Sequence, residues 1–229
     1  MLDLELHCHT CHSPDSLVQL PALIERARAV GLARLAITDH RVFDGARRAF
    51  EMAPDLIIPG VEAMTTSGEL LCYFLREALP DALSLAETIE RVHAQGGICG
   101  PSHPFDPRRY GIGGDNIRRY ADRLDFVEVF NARTRDPRRN EEARQIALEF
   151  DLPMICASDA HTLPEVGISR VRLKRDYTSP RDFLAAVREG ELLPVASDLR
   201  ANVGSRVAAI AHAVGLGKPN ESRGGSQTT

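Results

Sequence analysis

His7 and His9 are separated by a single residue and close the apolar run Leu2–Leu6. In an extended strand, residues i and i+2 face the same way, so both imidazoles enter one space while Cys8 points away from it. Two neutral ring nitrogens side by side suit a borderline divalent metal. A hydrogen-bonded pair of core histidines is the plainer alternative. Asp159 and His161 repeat the spacing 150 residues after His9. Two such pairs, each ending a hydrophobic run, are hard to explain by packing alone, because a buried charge is costly unless it is paired or metal-bound.

Other ionisable residues end apolar runs in the same manner. His40 follows Ile37-Thr38-Asp39, Glu62 follows Pro59-Gly60-Val61, and His103 follows Ser102 and precedes Pro104. Each has a plain reading: His40 as the partner of Asp39 in a local ion pair, Glu62 as an exposed strand-end carboxylate, His103 as a turn residue set by its proline. Asp15 could cap the helix that begins near Leu17. His93 and His212 fall within helical segments and read as surface or packing residues, and His12 is ambiguous. Cys8-x-x-Cys11 raises the question of a structural zinc site, which would want a second cysteine pair. Cys72, Cys99 and Cys156 are scattered singly, so the five cysteines read as reduced core thiols.

The elements that must position these residues alternate along the chain. Short β-like runs are expected at Leu2–Leu6, Arg34–Thr38, Leu56–Val61, Leu70–Leu75, Gly97–Gly100, Asp125–Phe130 and Pro153–Ala157. Helices are expected at Leu17–Val30, Gly45–Glu51, Leu83–Gln95, Asn116–Arg123, Arg138–Phe150 and Arg181–Arg188, with apolar residues three or four apart, as in Leu85, Ile89 and Val92. Gly31, Gly96 and Gly190 stand where helix C-caps belong. The alternation reads as an α/β fold of parallel βα units, open or closed into a barrel. In such folds the C-terminal strand edge, where all the candidates lie, is where sites are built. No internal repeat or interdomain linker is evident: one domain over residues 1–216 is expected, followed by a polar, disordered tail over 217–229.

Composition narrows the classes further. The 229 residues carry a net charge of −4, with 43% hydrophobic and 26% charged, which fits a globular chain and lacks the basic footprint of a non-specific nucleic-acid binder. The longest late apolar run, Val207 to Gly217, is too short to span a bilayer. Asp3 and Glu5 leave no basic leader, so a cytoplasmic protein is expected. Lys174 and Lys218 are the only lysines among 28 basic residues.

Taken together, Glu5-Leu6-His7-Cys8-His9-Thr10 with Ser13-Pro14-Asp15, Ile37-Thr38-Asp39-His40, Pro59-Gly60-Val61-Glu62, Ser102-His103-Pro104 and Ser158-Asp159-Ala160-His161 resemble the PHP (polymerase and histidinol phosphatase) superfamily of metal-dependent phosphoesterases. The motifs occur in family order over residues 5 to 161. The segment from Glu128-Val129-Phe130-Asn131 to Ser158-Asp159-Ala160-His161 is similar to the family's smaller bacterial members. The resemblance implies a distorted, TIM-like (β/α)7 barrel and a cluster of two or three metal ions, of the manganese, iron or zinc kind. It implies that His7, His9, Glu62 and Asp159 hold one ion, that Glu62 bridges to a second that also takes His103, and that Asp15, His40 and His161 hold a third. Many members offer a further histidine to the second ion. Here Glu69 stands in that region and either replaces it or leaves the ion weakly held.

The activity implied is hydrolysis of a small phosphomonoester (a nucleotide, or a sugar or amino-alcohol phosphate) by a metal-bridging hydroxide, with Glu62, Asp159 and His103 at its centre. Three divalent ions outweigh four carboxylates and a hydroxide by a single positive charge, or by two without Glu69, which favours an anionic phosphate either way. Arginines suit phosphate recognition. Arg108 and Arg109 after His103, and Arg133 and Arg135 after Asn131, lie on the metal-bearing edge, and one of them, together with Asn131, is expected to meet the substrate. An amidohydrolase-like metallohydrolase is the nearest rival; its bridging carbamylated lysine has no counterpart between the histidines, since both lysines follow His161, which leaves only a glutamate-bridged variant through Glu62. A non-catalytic metal-stabilised module is the other, and it would have lost ligands that are present here. The expected partner is a small phosphorylated substrate, with neither a membrane nor long nucleic acid.

Overall fold

The computed structural model describes residues 1–197 and 201–213. The 217–229 tail and Lys218 lie outside the described residues. The strands are β1 (Leu2–Glu5), β2 (Arg34–Ile37), β3 (Ile57–Thr65), β4 (Gly68–Tyr73), β5 (Ile98–Pro101), β6 (Val127–Asn131), β7 (Met154–Ala157), β8 (Arg170–Leu173) and β9 (Glu191–Leu193). The helices are α1 (Leu20–Ala29), α2 (Asp44–Met52), α3 (Leu85–Ala94), α4 (Gly113–Tyr120), α5 (Pro137–Glu149), α6 (Pro180–Glu189) and α7 (Ala201–Ala213).

Local chemistry sets several of these boundaries. Ser84 caps α3 through a capping box with Glu87, and Ser179 and Asp136 accept backbone N–H bonds at the starts of α6 and α5. Gly31 and Gly96 take left-handed φ of 77° just beyond α1 and α3, as expected of C-terminal glycines. Gly190 closes α6 in an extended conformation instead. Asp15 does not cap α1: the cap position is Gln19, without a side-chain bond.

The result is an α/β fold whose sheets curl around one another. One sheet runs β5-β4-β3-β2-β1-β8-β9, and β6 and β7 form a parallel pair. Two backbone connections draw the pair into the curl. Asp125 N donates to Cys99 O at 2.9 Å beside β5, and past the end of β1 the residues His9 and Ala160, and Ala160 and His7, exchange N–H···O bonds of 2.8 and 3.1 Å. The expectation of uniformly parallel βα units is corrected here. β4 is antiparallel to both β3 and β5. Thr65 and Gly68 pair across a two-residue turn at Thr66-Ser67, leaving no room for a helix between β3 and β4. β8 and β9, unexpected from the sequence, add antiparallel edges beyond β1.

Alternation along the strands divides the core. Leu35, Ile37, Leu70, Cys72 and Cys99 pack with the helix residues Leu23, Ala46, Ile89 and Val92, while Ala36, Ile58, Leu71, Tyr73 and Phe126 pack with Leu4 and Leu6 on the other side. The rings of Tyr73 and Phe126 stack at 5.1 Å, and the Tyr73 hydroxyl donates to Leu6 O just before the first histidine pair. Among the described residues no helix is long and apolar enough to cross a membrane.

Candidate metal centre

The strand ends bring together residues spread over most of the chain. His7 and His9 follow β1, His40 follows β2, Glu62 is on β3, Glu69 on β4, His103 follows β5, and Asp159 and His161 follow β7. His7 and His9 point to one side with ring centroids 5.0 Å apart, and Cys8 packs in the helix-facing core. The His9 ring lies 4.4 Å from that of His40 and 4.2 Å from that of His161, and the His7 ring is 5.9 Å from that of His103. Asp159 and His103 hold positive φ of 52° and 26°, conformations that non-glycine residues adopt at some expense and that recur at functional sites.

Four overlapping groups have ligand atoms all within 4.8 Å of one another: His7-His9-Asp159, His7-Glu62-His103, His40-Glu62-Glu69 and His9-Asp15-His40-His161. Glu62 is central. Its Oε2 is 3.2 Å from His7 Nε2, 3.5 Å from His9 Nε2 and 3.0 Å from His40 Nδ1, and its Oε1 is 3.1 Å from His103 Nε2. Glu69, on the strand facing Glu62, sits between His40 (3.4 Å) and His103 (3.7 Å). Asp15 Oδ2 lies 3.4 Å from His40 Nε2 and 2.9 Å from His161 Nε2. His12 stands apart, with Nε2 3.8 Å from Asp44.

Charge is highly concentrated. Burial alone would raise the pKa of Glu62 and Asp159, but His7 and the other imidazoles hold both well below the carboxylate range. Burial also opposes protonation of His7 and His40, yet the surrounding carboxylates push both well above the imidazole range. His9 goes the other way, down to about 3, through burial and the neighbouring His161 and His40. Burial and the charge of Glu62 raise Glu69. Three buried ligand-type atoms of these residues, His9 Nε2, Asp15 Oδ1 and His103 Nδ1, have no hydrogen-bond partner. A donor set of imidazoles and carboxylates with orphaned buried atoms fits divalent cations.

A surrounding layer fixes the rings. His7 Nδ1 is 3.0 Å from Glu128 Oε1, whose other oxygen accepts the His103 backbone N–H at 2.5 Å. His9 Nδ1 is 3.1 Å from Ser13 Oγ, which donates to Asp39 Oδ1 at 3.0 Å. Such outer partners orient metal-binding imidazoles and set which nitrogen is exposed. Glu128 and Asp39 are functional candidates that motif spacing assigned no role. The available signal was a carboxylate flanked by Val127 and Val129 in an otherwise apolar strand.

The groups open into a cleft of about 310 Å³ lined by Asp15, His40, Glu69, His103, Asp159 and His161, and by Arg108, Arg109, Tyr110 and Arg133. Arg109 is clamped, donating to Asp159 Oδ2 (2.5 Å), Asn131 Oδ1 (3.1 Å), Thr134 Oγ1 (2.9 Å) and Asp106 Oδ2 (3.2 Å). Arg133 meets His161 Nδ1. Asn131 is buried and donates to Glu128 and Asp159, so it braces the site from behind Arg109. Arg135 is exposed and outside that lining.

Comparison with known proteins follows the same lines. The family model described as PHP domain matches residues 5–98, and one described as PHP-associated matches residues 137–192. An uncharacterised protein of Methanocaldococcus jannaschii is 33% identical, over 88% of this chain and 86% of its own. Among solved structures, PsfC of Pseudomonas syringae aligns with a TM-score of 0.68 at 19% identity, covering 92% of this chain and 98% of its own. A Bifidobacterium adolescentis protein, provisionally described as a metal-dependent phosphoesterase, aligns at 0.59 and 18% identity, covering 86% and 97%. The lesion-specific endonuclease EndoQ of Pyrococcus furiosus aligns at 0.57 and 17% identity, covering 83% of this chain and 57% of its own. At these identities the structural likeness speaks to the fold alone.

Proposed function

The chain belongs to the PHP domain family, and from that premise we propose that it is a metal-dependent phosphoesterase acting on a small phosphomonoester. The observation that carries this reading is the convergence of five imidazoles with Asp15, Glu62, Glu69 and Asp159 at the floor of an arginine-rimmed cleft. His7, His9, Glu62 and Asp159 would hold one divalent ion of the manganese, iron or zinc kind. Glu62, Glu69 and His103 would hold a second, and Asp15, His40 and His161 a third. Bound ions supply Lewis acidity and lower the pKa of water toward ~7.

The chain's own residues do the rest. Glu128, Ser13 and Asp39 keep the ring nitrogens of His7 and His9 turned toward the cleft. Asp106, Asn131 and Thr134 hold the Arg109 guanidinium against Asp159, so that positive charge stands ready beside the position a phosphate would take. Such preorganised charge acts without reorganising during reaction. Arg108 and Arg133 on the same rim extend the field toward an anion, and Arg135 is the weakest of the four candidates because it faces solvent away from the cleft. A cleft of about 310 Å³ suits a small substrate. The lysine-bridged amidohydrolase form is disfavoured, since Lys174, just beyond β8, is not among the described residues lining the cleft.

The test is phosphate release from small phosphomonoesters and, in parallel, cleavage of short oligonucleotides, using metal-free protein reloaded separately with Mn, Fe(II) or Zn. Release from a small ester, lost on chelation, is the expected result. Cleavage of oligonucleotides alone, or no turnover with any ion, would overturn the proposal.

A further inference from the structure

A second cluster of metal-ligating side chains lies away from the cleft, on the helix-facing side of the sheet. His93 stands in the last turn of α3, Cys99 on β5, and Asp125 in the loop that enters β6. Asp125 Oδ2 is 2.8 Å from His93 Nε2 and accepts the Cys99 backbone N–H, also at 2.8 Å. The imidazole nitrogen, the thiol sulfur and a carboxylate oxygen all lie within 4.8 Å of one another. We propose that His93, Cys99 and Asp125 form a second metal site, selective for zinc-class ions and independent of the phosphoesterase reading.

Three observations support it. Zinc bonds of about 2.0–2.3 Å set tetrahedral ligands roughly 3–4 Å apart, so the group needs only a small closing movement to surround an ion. The donor set has the right charge, because a thiolate and a carboxylate together cancel one divalent cation. It also has the right softness, since thiolate prefers zinc, cobalt or cadmium over magnesium or manganese. Finally, access and setting differ for the two ends of the site. The side chains of His93 and Asp125 are 38% and 22% exposed, which gives an ion entry from solvent, while Cys99 is fully buried. Burial, Cys72 and Asp125 all push the Cys99 thiol well above its ordinary pKa, so a thiolate there needs a cation to compensate it. Cys72, isolated in sequence, is the direct antiparallel partner of Cys99 and shares its face of the sheet. Water is available for the fourth position. An ion at this point would tie α3, β5 and the entry to β6 together, at the seam where β6 and β7 join the larger sheet.

Cobalt(II) titration of chelator-treated, full-length protein tests the site without any activity assay. The cleft offers only imidazole and carboxylate donors, so a thiolate-to-cobalt charge-transfer band in the near ultraviolet can come only from a cysteine. We expect that band to saturate at an amplitude corresponding to one thiolate-bound cobalt per chain, whatever the cleft also takes up, to be displaced by zinc, and to persist in Asp159→Ala. It should vanish in Cys99→Ala, and the cobalt affinity should fall at least tenfold in His93→Ala, whose side chain is exposed enough for the fold to tolerate its loss. Absence of the band at every cobalt concentration, which would leave His93 and Asp125 as a plain ion pair, or its survival in either variant with unchanged affinity, would overturn the proposal.

Discussion

At the scale of single residues, the proposed chemistry depends on buried imidazoles and carboxylates crowded at one point. His9 Nε2 is buried 3.3 Å from Asp159 Oδ1, and Asp159 is held ionised beside it. His9→Ala and Asp159→Ala are therefore expected to abolish phosphate release while circular dichroism stays unchanged; rates within twofold of the parent would remove both from the chemistry. Glu128 acts one step back, through His7 Nδ1, so Glu128→Gln should weaken metal affinity roughly 10–100-fold without emptying the site. Direct titration with Mn or Zn reads that shift. The clustering itself was largely legible in the sequence. The i, i+2 histidine and Asp–His pairs, Glu62, His103 and His40 were read at strand ends and meet there, whereas Asp15 and Glu69 came only from the family resemblance. Glu128 and Asp39 were not legible as supports, because a carboxylate's partner depends on which strands become neighbours. The arginines were ambiguous for the same reason: Arg109 and Arg135 are equally basic, and only the turn after His103 brings the first against Asp159.

At the scale of elements, the alternation of strands and helices was readable and the strand directions were not. The eight-residue gap between the expected strands Leu56–Val61 and Leu70–Leu75 holds a hairpin, and the local signal was Thr66-Ser67-Gly68, with Gly68 at a φ of 124°. The hairpin matters because it sets Glu69 on the same face of the sheet as Glu62. β8 escaped notice because Arg170-Val171-Arg172-Leu173 is short and half polar. It is held to β1 by Asp3, which accepts bonds from Arg172 at 2.6 Å and Arg170 at 3.2 Å. Hydrogen bonding to Arg172 lowers the Asp3 pKa from 3.8. The stabilisation is thus fully present above about pH 4 and is lost as pH falls through the lowered folded value. Asp3→Asn should cost no more than about 1 kcal/mol at pH 7, since the pair is partly exposed, and the gap in urea midpoint to the parent should close below pH 4. A gap independent of pH would argue against the clamp. Where β5 meets β6, a Cβ on Gly100 would come within 2.3 Å of Phe126 O. Backbone cannot yield cheaply there, so Gly100→Ala should cost about 1–3 kcal/mol in urea unfolding.

At the scale of the whole molecule, the chain concentrates buried carboxylates and imidazoles in one place while carrying a modest net charge of −4. Ions that bind the folded state and not the unfolded chain stabilise it by mass action. The midpoint of thermal unfolding should therefore rise with added Mn or Zn and fall again with chelator, and Asp159→Ala should blunt the response. The most direct measurement of the central claim is anomalous diffraction from crystals grown or soaked with Mn or Zn, with data collected on either side of the metal edge. The account predicts two or three anomalous peaks, one among His7, His9, Glu62 and Asp159 and the others beside His103 with Glu69 and beside Asp15 with His40 and His161. A map without anomalous density at any of these positions, under saturating metal, would contradict it.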